Sequence, residues 1–147
     1  KELIDNYNEY KKSIEKPTNK TNEFKIKNSV YAFKINAGAS KRNKAADLFE
    51  TLVKGNYIDI TSKNDFIDAF IGKNPNKKIN WIGAFGDLKS FIKYSISENL
   101  IEKVSTKWIY TTHLFTHRNN EITNSSLNNA KITTNDSSIK KIVKSIL

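Results

Sequence analysis

The chain contains no cysteine and no methionine, only 2 prolines and 5 glycines among 147 residues, and just two histidines. Without cysteine there is no disulfide framework, no thiolate metal site and no cysteine nucleophile. Without methionine Lys1 is not a translation start, which leads to the expectation that the sequence is a processed product or a piece of something longer. No apolar run approaches the roughly 20 residues that a bilayer crossing needs, and no charged-then-apolar leader opens the chain. No membrane partner and a cytoplasmic location are therefore expected. Arginine is scarce as well: Arg42 and Arg118 are the only two.

What is abundant is lysine. The 25 basic against 15 acidic residues leave a formal charge of +10. The charge is uneven. Residues 1–38 carry 8 basic and 5 acidic groups, residues 39–102 carry 10 and 8, and residues 103–147 carry 7 and 2. The last segment is the electropositive one, and a surface of that sign attracts polyanions through phosphate contacts and counterion release. A lysine- and asparagine-rich solvated surface is the plain alternative. Hydrophobic residues at 37% and aromatics at 11% supply enough apolar surface for a folded core.

The periodicity is mostly helical. Leu3, Tyr7, Tyr10 and Ile14 fall on one helical stripe that ends at Pro17. Two heptads are too few for a coiled coil, so the stripe reads as a docking face for a protein partner or a second copy. Residues 23–35 alternate in a way that fits strand or helix. Residues 1–38 thus form an N-terminal helix plus an ambiguous segment, ahead of a helical core domain over residues 39–147. In that domain Ala45, Leu48, Phe49, Leu52 and Val53 predict a helix stopped by Gly55 as a left-handed cap, and Phe66, Ile67, Phe70 and Ile71 predict a second, capped by Thr61 or Ser62 and ended by Gly72. Gly83 and Gly86 mark the entry to a third, with Leu88, Phe91, Ile92, Ile96 and Leu100 on one face. Trp108, Thr112 and Phe115 continue at helical spacing to a polar turn at Arg118–Asn120, and a short polar helix follows near residues 124–131. A last helix starts at Asp136 or Ser137 and sets Ile139, Ile142, Val143 and Ile146 against Lys140, Lys141 and Lys144.

Candidate chemistry is sparse. His113 and His117, four apart on a helix, could face one metal, but two ligands are too few, Glu121 lies past the polar turn, and the zinc-protease pattern is missing. Asp59, Asp65, Asp68, Asp87, Glu98 and Glu102 make no pair suited to general acid and base work. Gly83 and Gly86 lack the lysine of a phosphate loop and the third glycine of a dinucleotide fingerprint. No serine sits in a nucleophile elbow. The expectation is no enzyme, no metal and no cofactor. The remaining constellation is Lys107–Lys131, two helices joined by a polar turn, which is how a recognition helix is offered to the major groove. Thr123, Asn124, Ser125 and Asn128 would line the second helix, where asparagine can read adenine, while Lys107, Arg118, Lys131, Lys140, Lys141 and Lys144 would reach phosphates.

The stretch Lys78-Ile79-Asn80-Trp81-Ile82-Gly83, followed by Asp87-Leu88, Phe91-Ile92 and Leu100-Ile101, resembles the C-terminal region of the RteC family of conjugative-transposon regulators. The run from Leu48-Phe49-Glu50 to Gly55-Asn56-Tyr57-Ile58 resembles the same neighbourhood in related small helical proteins. The resemblance covers about residues 40–147. It implies a mainly α, compact domain with a helix-turn-helix or winged-helix-like C-terminal part and room for a minor β element. It further implies duplex DNA as partner and transcription regulation on a mobile element.

Overall fold

In the computed structural model, residues 30–147 are described. The Leu3, Tyr7, Tyr10 and Ile14 stripe therefore lies outside the described residues. Tyr31–Leu147 fold as one unit, mainly helical with a small sheet: α1 (Lys41–Lys54), α2 (Lys63–Phe70), β1 (Ile79–Trp81), α3 (Phe85–Ser97), α4 (Lys107–Leu114), β2 (Phe115–His117), β3 (Asn120–Glu121), α5 (Asn124–Asn129) and α6 (Asp136–Ile146).

The apolar stripes decide which helices pack. Ala45, Leu48, Phe49 and Leu52 of α1 and Phe66, Ile67, Ala69 and Phe70 of α2 are buried against one another, and α3 adds Leu88, Phe91 and Ile92. Ile139 and Val143 seat α6 across α3 and α1. At the centre the rings run in series. Phe66 lies 4.4 Å from Phe70, Trp81 5.7 Å from Phe91 and 5.6 Å from Tyr57. Trp81 is wholly buried, so its indole N–H needs a partner, and it donates to the Ala84 carbonyl at 2.9 Å.

Residues 31–35, within the stretch whose alternation fits either strand or helix, are extended. Lys34 bridges Ile71 and Ile35 bridges Ile101, with the Phe33 amide donating to Ala69 at 2.7 Å. Phe33 and Ile35 sit in the core, and the folded unit begins at Tyr31, ten residues ahead of α1.

Two punctuation marks work differently from the expectation. Gly55 has φ −80° and is no left-handed cap; Asn56, at φ 61°, takes that conformation. Gly55 is there for room, because a Cβ would stand 2.6 Å from the Tyr57 ring. Ser62 precedes α2 without a capping side-chain bond, and Asp59 instead accepts from the Thr61 amide at 3.0 Å. Gly72, at φ +87°, does end the α2 region in a positive-φ turn.

The sheet orders β1-β2-β3. β1 runs parallel to β2, with Ile79, Asn80 and Trp81 opposite Phe115, Thr116 and His117. β2 and β3 form an antiparallel hairpin in which His117 faces Asn120. The two residues between them, Arg118 and Asn119, have φ 49° and 67°. Positive φ at both central positions is the turn whose twist suits a two-residue hairpin. The segment Lys107–Lys131 is thus helix, β-hairpin, helix, with residues 115–123 between α4 and α5, and not two helices joined by a short turn. Phe115 continues the helical spacing of Trp108 and Thr112, yet its backbone pairs with β1 instead. That pairing also separates the histidines, since α4 stops at Leu114 and His117 lies in β2.

Candidate nucleic-acid surface of the C-terminal third

The helix α5 is short and needs fixing at both ends. Thr123 Oγ1 accepts from the Ser126 amide at 3.1 Å, while Ser126 Oγ accepts from the Thr123 amide at 3.2 Å, a reciprocal cap. At the other end Lys89 of α3 donates to the carbonyls of Asn128 (2.8 Å) and Ala130 (3.2 Å), placing a cation on the negative end of the helix. Leu127 is the buried anchor. With Thr123 and Ser126 occupied in the cap, Asn124 and Asn128, one turn apart, are the side chains α5 leaves exposed toward α4.

Those two line a cleft of about 180 Å³ with Ser105, Thr106, Lys107, Trp108 and Ile109 at the start of α4. Lys107 Nζ stands 4.9 Å from the centre of the Trp108 ring. Thr111, fully buried, holds the helix turn beneath by donating to the Lys107 carbonyl at 2.7 Å. The structure thus brings together Lys107, Asn124 and Asn128 from the sequence-derived set.

Arg118 stands apart at the hairpin tip. Its amide donates to Trp81 at 2.9 Å and its Nε to the Ile82 carbonyl at 3.3 Å, which leaves the guanidinium exposed beside the end of β1. Asn80 fixes the tip from below, its Oδ1 accepting from Thr116 Oγ1 (3.1 Å) and the Asn119 amide (2.8 Å). Lys131 lies in the connector to α6, with its backbone carbonyl pressed onto Gly86.

The three lysines of α6 fall within an arc of roughly 100° at ordinary helical pitch, away from buried Ile139 and Val143. Lys141 and Lys144 are exposed and Lys140 is half-buried. Lys140 is 3.7 Å from Glu98 and also over the Tyr94 ring, where Lys93 of α3 joins it. Asp136, in the first turn, accepts from Ser90 Oγ at 2.7 Å and from the Tyr94 hydroxyl. The Tyr94 and Ser90 hydrogen bonds hold the Asp136 carboxyl below the ordinary range, and the same bond pushes the Tyr94 hydroxyl up.

Charge pairing is lopsided. Of the seven cations in residues 103–147, Lys140 alone has a carboxylate within ion-pair distance among the described residues; Lys103, Lys107, Arg118, Lys131, Lys141 and Lys144 have none. The two carboxylates of the segment are already engaged, Glu121 by Lys78 and Asp136 by hydroxyls.

The histidines serve separate contacts. His113 stacks on Tyr31 at 4.0 Å with Nδ1 2.9 Å from the Ile109 carbonyl, and His117 Nε2 lies 2.9 Å from Gly83 O. Among the described residues no three His, Asp or Glu groups gather as metal ligands. Nor is any described helix long and apolar enough to cross a membrane. Sequence reasoning passed over Lys89, Lys93 and Asn80. Only the i, i+4 spacing of Lys89 and Lys93 on one side of α3 hints at the first two. Neither a protein-family model nor a curated protein nor a solved structure matches the chain.

Proposed function

We propose that the protein is a non-enzymatic, DNA-binding transcription regulator of a mobile element, held on duplex DNA by the cations of its C-terminal third. Lys107, Arg118, Lys131, Lys140, Lys141 and Lys144 contact phosphates, and Asn124, Ser125 and Asn128, with Thr123 as the cap that orients them, face bases. The β2–β3 hairpin with Arg118 at its tip serves as a wing-like element beside α4 and α5. The observation that carries this reading is the unbalanced charge: six of seven cations in residues 103–147 lack a carboxylate partner among the described residues, and three lysines share one side of α6. Exposed cations without carboxylate partners favour a polyanion because each phosphate contact releases counterions.

The test is binding to a duplex of about 20 base pairs, followed by anisotropy while salt is raised. Affinity should fall steeply as salt rises, and Lys140→Glu, Lys141→Glu and Lys144→Glu together should weaken binding to all sequences alike. Undetectable binding at low salt removes the reading.

A further inference from the structure

The side chains of the α4–α5 cleft are arranged for a base that has left the stack, which refines how Asn124 and Asn128 meet bases on the surface proposed above. Asn124 and Asn128 are exposed, yet neither side-chain amide has a hydrogen-bond partner among the described residues. Each offers a donor and an acceptor on one planar edge, which is the pattern that matches adenine N7 and N6. Both line a recess and do not crown a ridge, and α5 has only six residues. Major-groove reading needs a helix that protrudes into the groove and meets base edges in the stack. Here a base has to leave the stack and enter the protein. The neighbours fit that visitor: Trp108, half-buried, gives an aromatic surface at the cleft wall, and Lys107 Nζ lies over its ring at 4.9 Å from the centre, on a flexible side chain that swings off the face to a phosphate when a base stacks there. A stacking ring next to a lysine is how unpaired nucleotides are held. At about 180 Å³ the cleft is smaller than the roughly 300 Å³ at which sites for whole small-molecule ligands begin. It suits a single planar group with its phosphate outside.

We propose that the α4–α5 cleft binds one unpaired adenine nucleotide of single-stranded nucleic acid, with Asn124 and Asn128 on the base edge, Trp108 against its face and Lys107 on the phosphate. This rests on the nucleic-acid reading above and assigns that surface its substrate class. Purely apolar ligands are disfavoured by the two unpartnered amides, which would be buried without hydrogen bonds.

The fluorescence of the intact chain tests it. Trp81 is wholly buried and Trp108 is not, so quenching by an added oligonucleotide reports Trp108, with Trp108→Leu as the assignment control. Twelve-residue oligo(dA), oligo(dT) and oligo(rA) and the dA·dT duplex are titrated separately. Oligo(dA) or oligo(rA) should quench and bind about tenfold more tightly than oligo(dT), the scale of one good bidentate base contact. The dA and rA arms separate a DNA from an RNA source. Asn124→Ala with Asn128→Ala should erase that preference while leaving the melting curve in place, since both residues are exposed and alanine favours helix. Lys107→Gln should weaken all single strands together. Equal binding of dA and dT, or a preference that survives the double alanine variant, overturns the proposal. Duplex binding with no Trp108 quenching by any single strand overturns the cleft alone and leaves the regulator reading standing. Single-strand quenching without duplex binding supports the cleft and removes duplex DNA as the target, and no binding to any strand removes both.

Discussion

Replacing Gly86 with alanine reverses the usual sign of that change. Gly86 is the second residue of α3, where alanine would ordinarily favour the helix by about 1 kcal/mol. A Cβ at this position, however, would stand 1.9 Å from the carbonyl oxygen of Lys131, a backbone atom that cannot rotate away, against an ordinary contact of 3.4 Å or more. The 131–135 connector must therefore retreat by roughly 1.5 Å, the difference between those two distances. That same connector carries Thr133 Oγ1 and Asn135 Nδ2, which donate to the carboxylate of Asp87, a group only 1% exposed; the Asn135 bond measures 3.1 Å. Retreat by that amount breaks both bonds. Hydrogen bonds to a charged acceptor contribute about 1.5–3 kcal/mol each, so the loss is about 3–6 and the net destabilisation about 2–5 kcal/mol after the helix gain. Typical total stabilities are about 5–15 kcal/mol, so the effect is large. In a urea titration followed by helical circular dichroism, the midpoint should drop by about 1–2.5 M at a typical slope near 2 kcal/mol per M. The combination with Thr133→Val and Asn135→Ala should be less than additive, because the bonds that the methyl group breaks are already gone. A Gly86→Ala protein that unfolds at or above the parent midpoint refutes the reasoning.

Other substitutions probe separate parts of the molecule. Ser95→Ala should leave stability unchanged or raise it by about 1 kcal/mol in the same titration, since the Ser95 hydroxyl is buried with no partner among the described residues; a fall greater than that would show a missed hydrogen bond. Asp136 has a folded pKa below its ordinary 3.8, so its stabilising contribution is present above that value and disappears as pH falls from about 4 through the depressed pKa. Urea midpoints measured from pH 6 to pH 2.5 should show this loss, and Tyr94→Phe should shrink it, because the Tyr94 hydroxyl is the largest cause of the depression. Asn119→Gly should stabilise the hairpin by up to about 1 kcal/mol, since Asn119 holds φ 67° in a turn that prefers glycine there; thermal unfolding decides, and a lower midpoint counts against the turn assignment. Changing Lys140, Lys141 and Lys144 to glutamine should reduce the slope of log affinity against log salt by about 2 to 3, at roughly 0.9 for each phosphate no longer neutralised, with Lys140 counting least because Glu98 already shares it. An unchanged slope would place α6 off the DNA.

Much of this architecture was legible in the sequence where burial follows a local period. Leu48, Phe49 and Leu52, then Phe66 and Phe70, then Leu88, Phe91 and Ile92, and finally Ile139 and Val143 mark helices because 3.6-residue spacing survives translation into a buried face. The lysine stripe of α6 follows by the same geometry. The small sheet did not show itself. Strands of two and three residues are too short to alternate, and β1 pairs with β2 across more than thirty residues of chain, a choice no local window contains. Helical spacing through Phe115 was a coincidence that tertiary pairing overrode, and the left-handed pair Arg118–Asn119 carries no glycine to announce it. The α4–α5 cleft was half visible: Lys107, Asn124 and Asn128 stood out as polar residues, but their meeting depends on how α4 lies on α5, and Trp108 reads in sequence only as an apolar anchor.

The extended run ahead of α1 sets where the molecule tolerates being cut. Phe33 and Ile35 are plugs driven into the hydrophobic interior, and their amides are bonded to Ala69 and Phe70. An expression fragment starting at Ala39 would look complete by its helices and yet leave two sockets open to water. Filling those sockets is worth about 1.5–3 kcal/mol per side chain, a sizeable share of what holds a domain of this size together. A cut made before Tyr31 spares both.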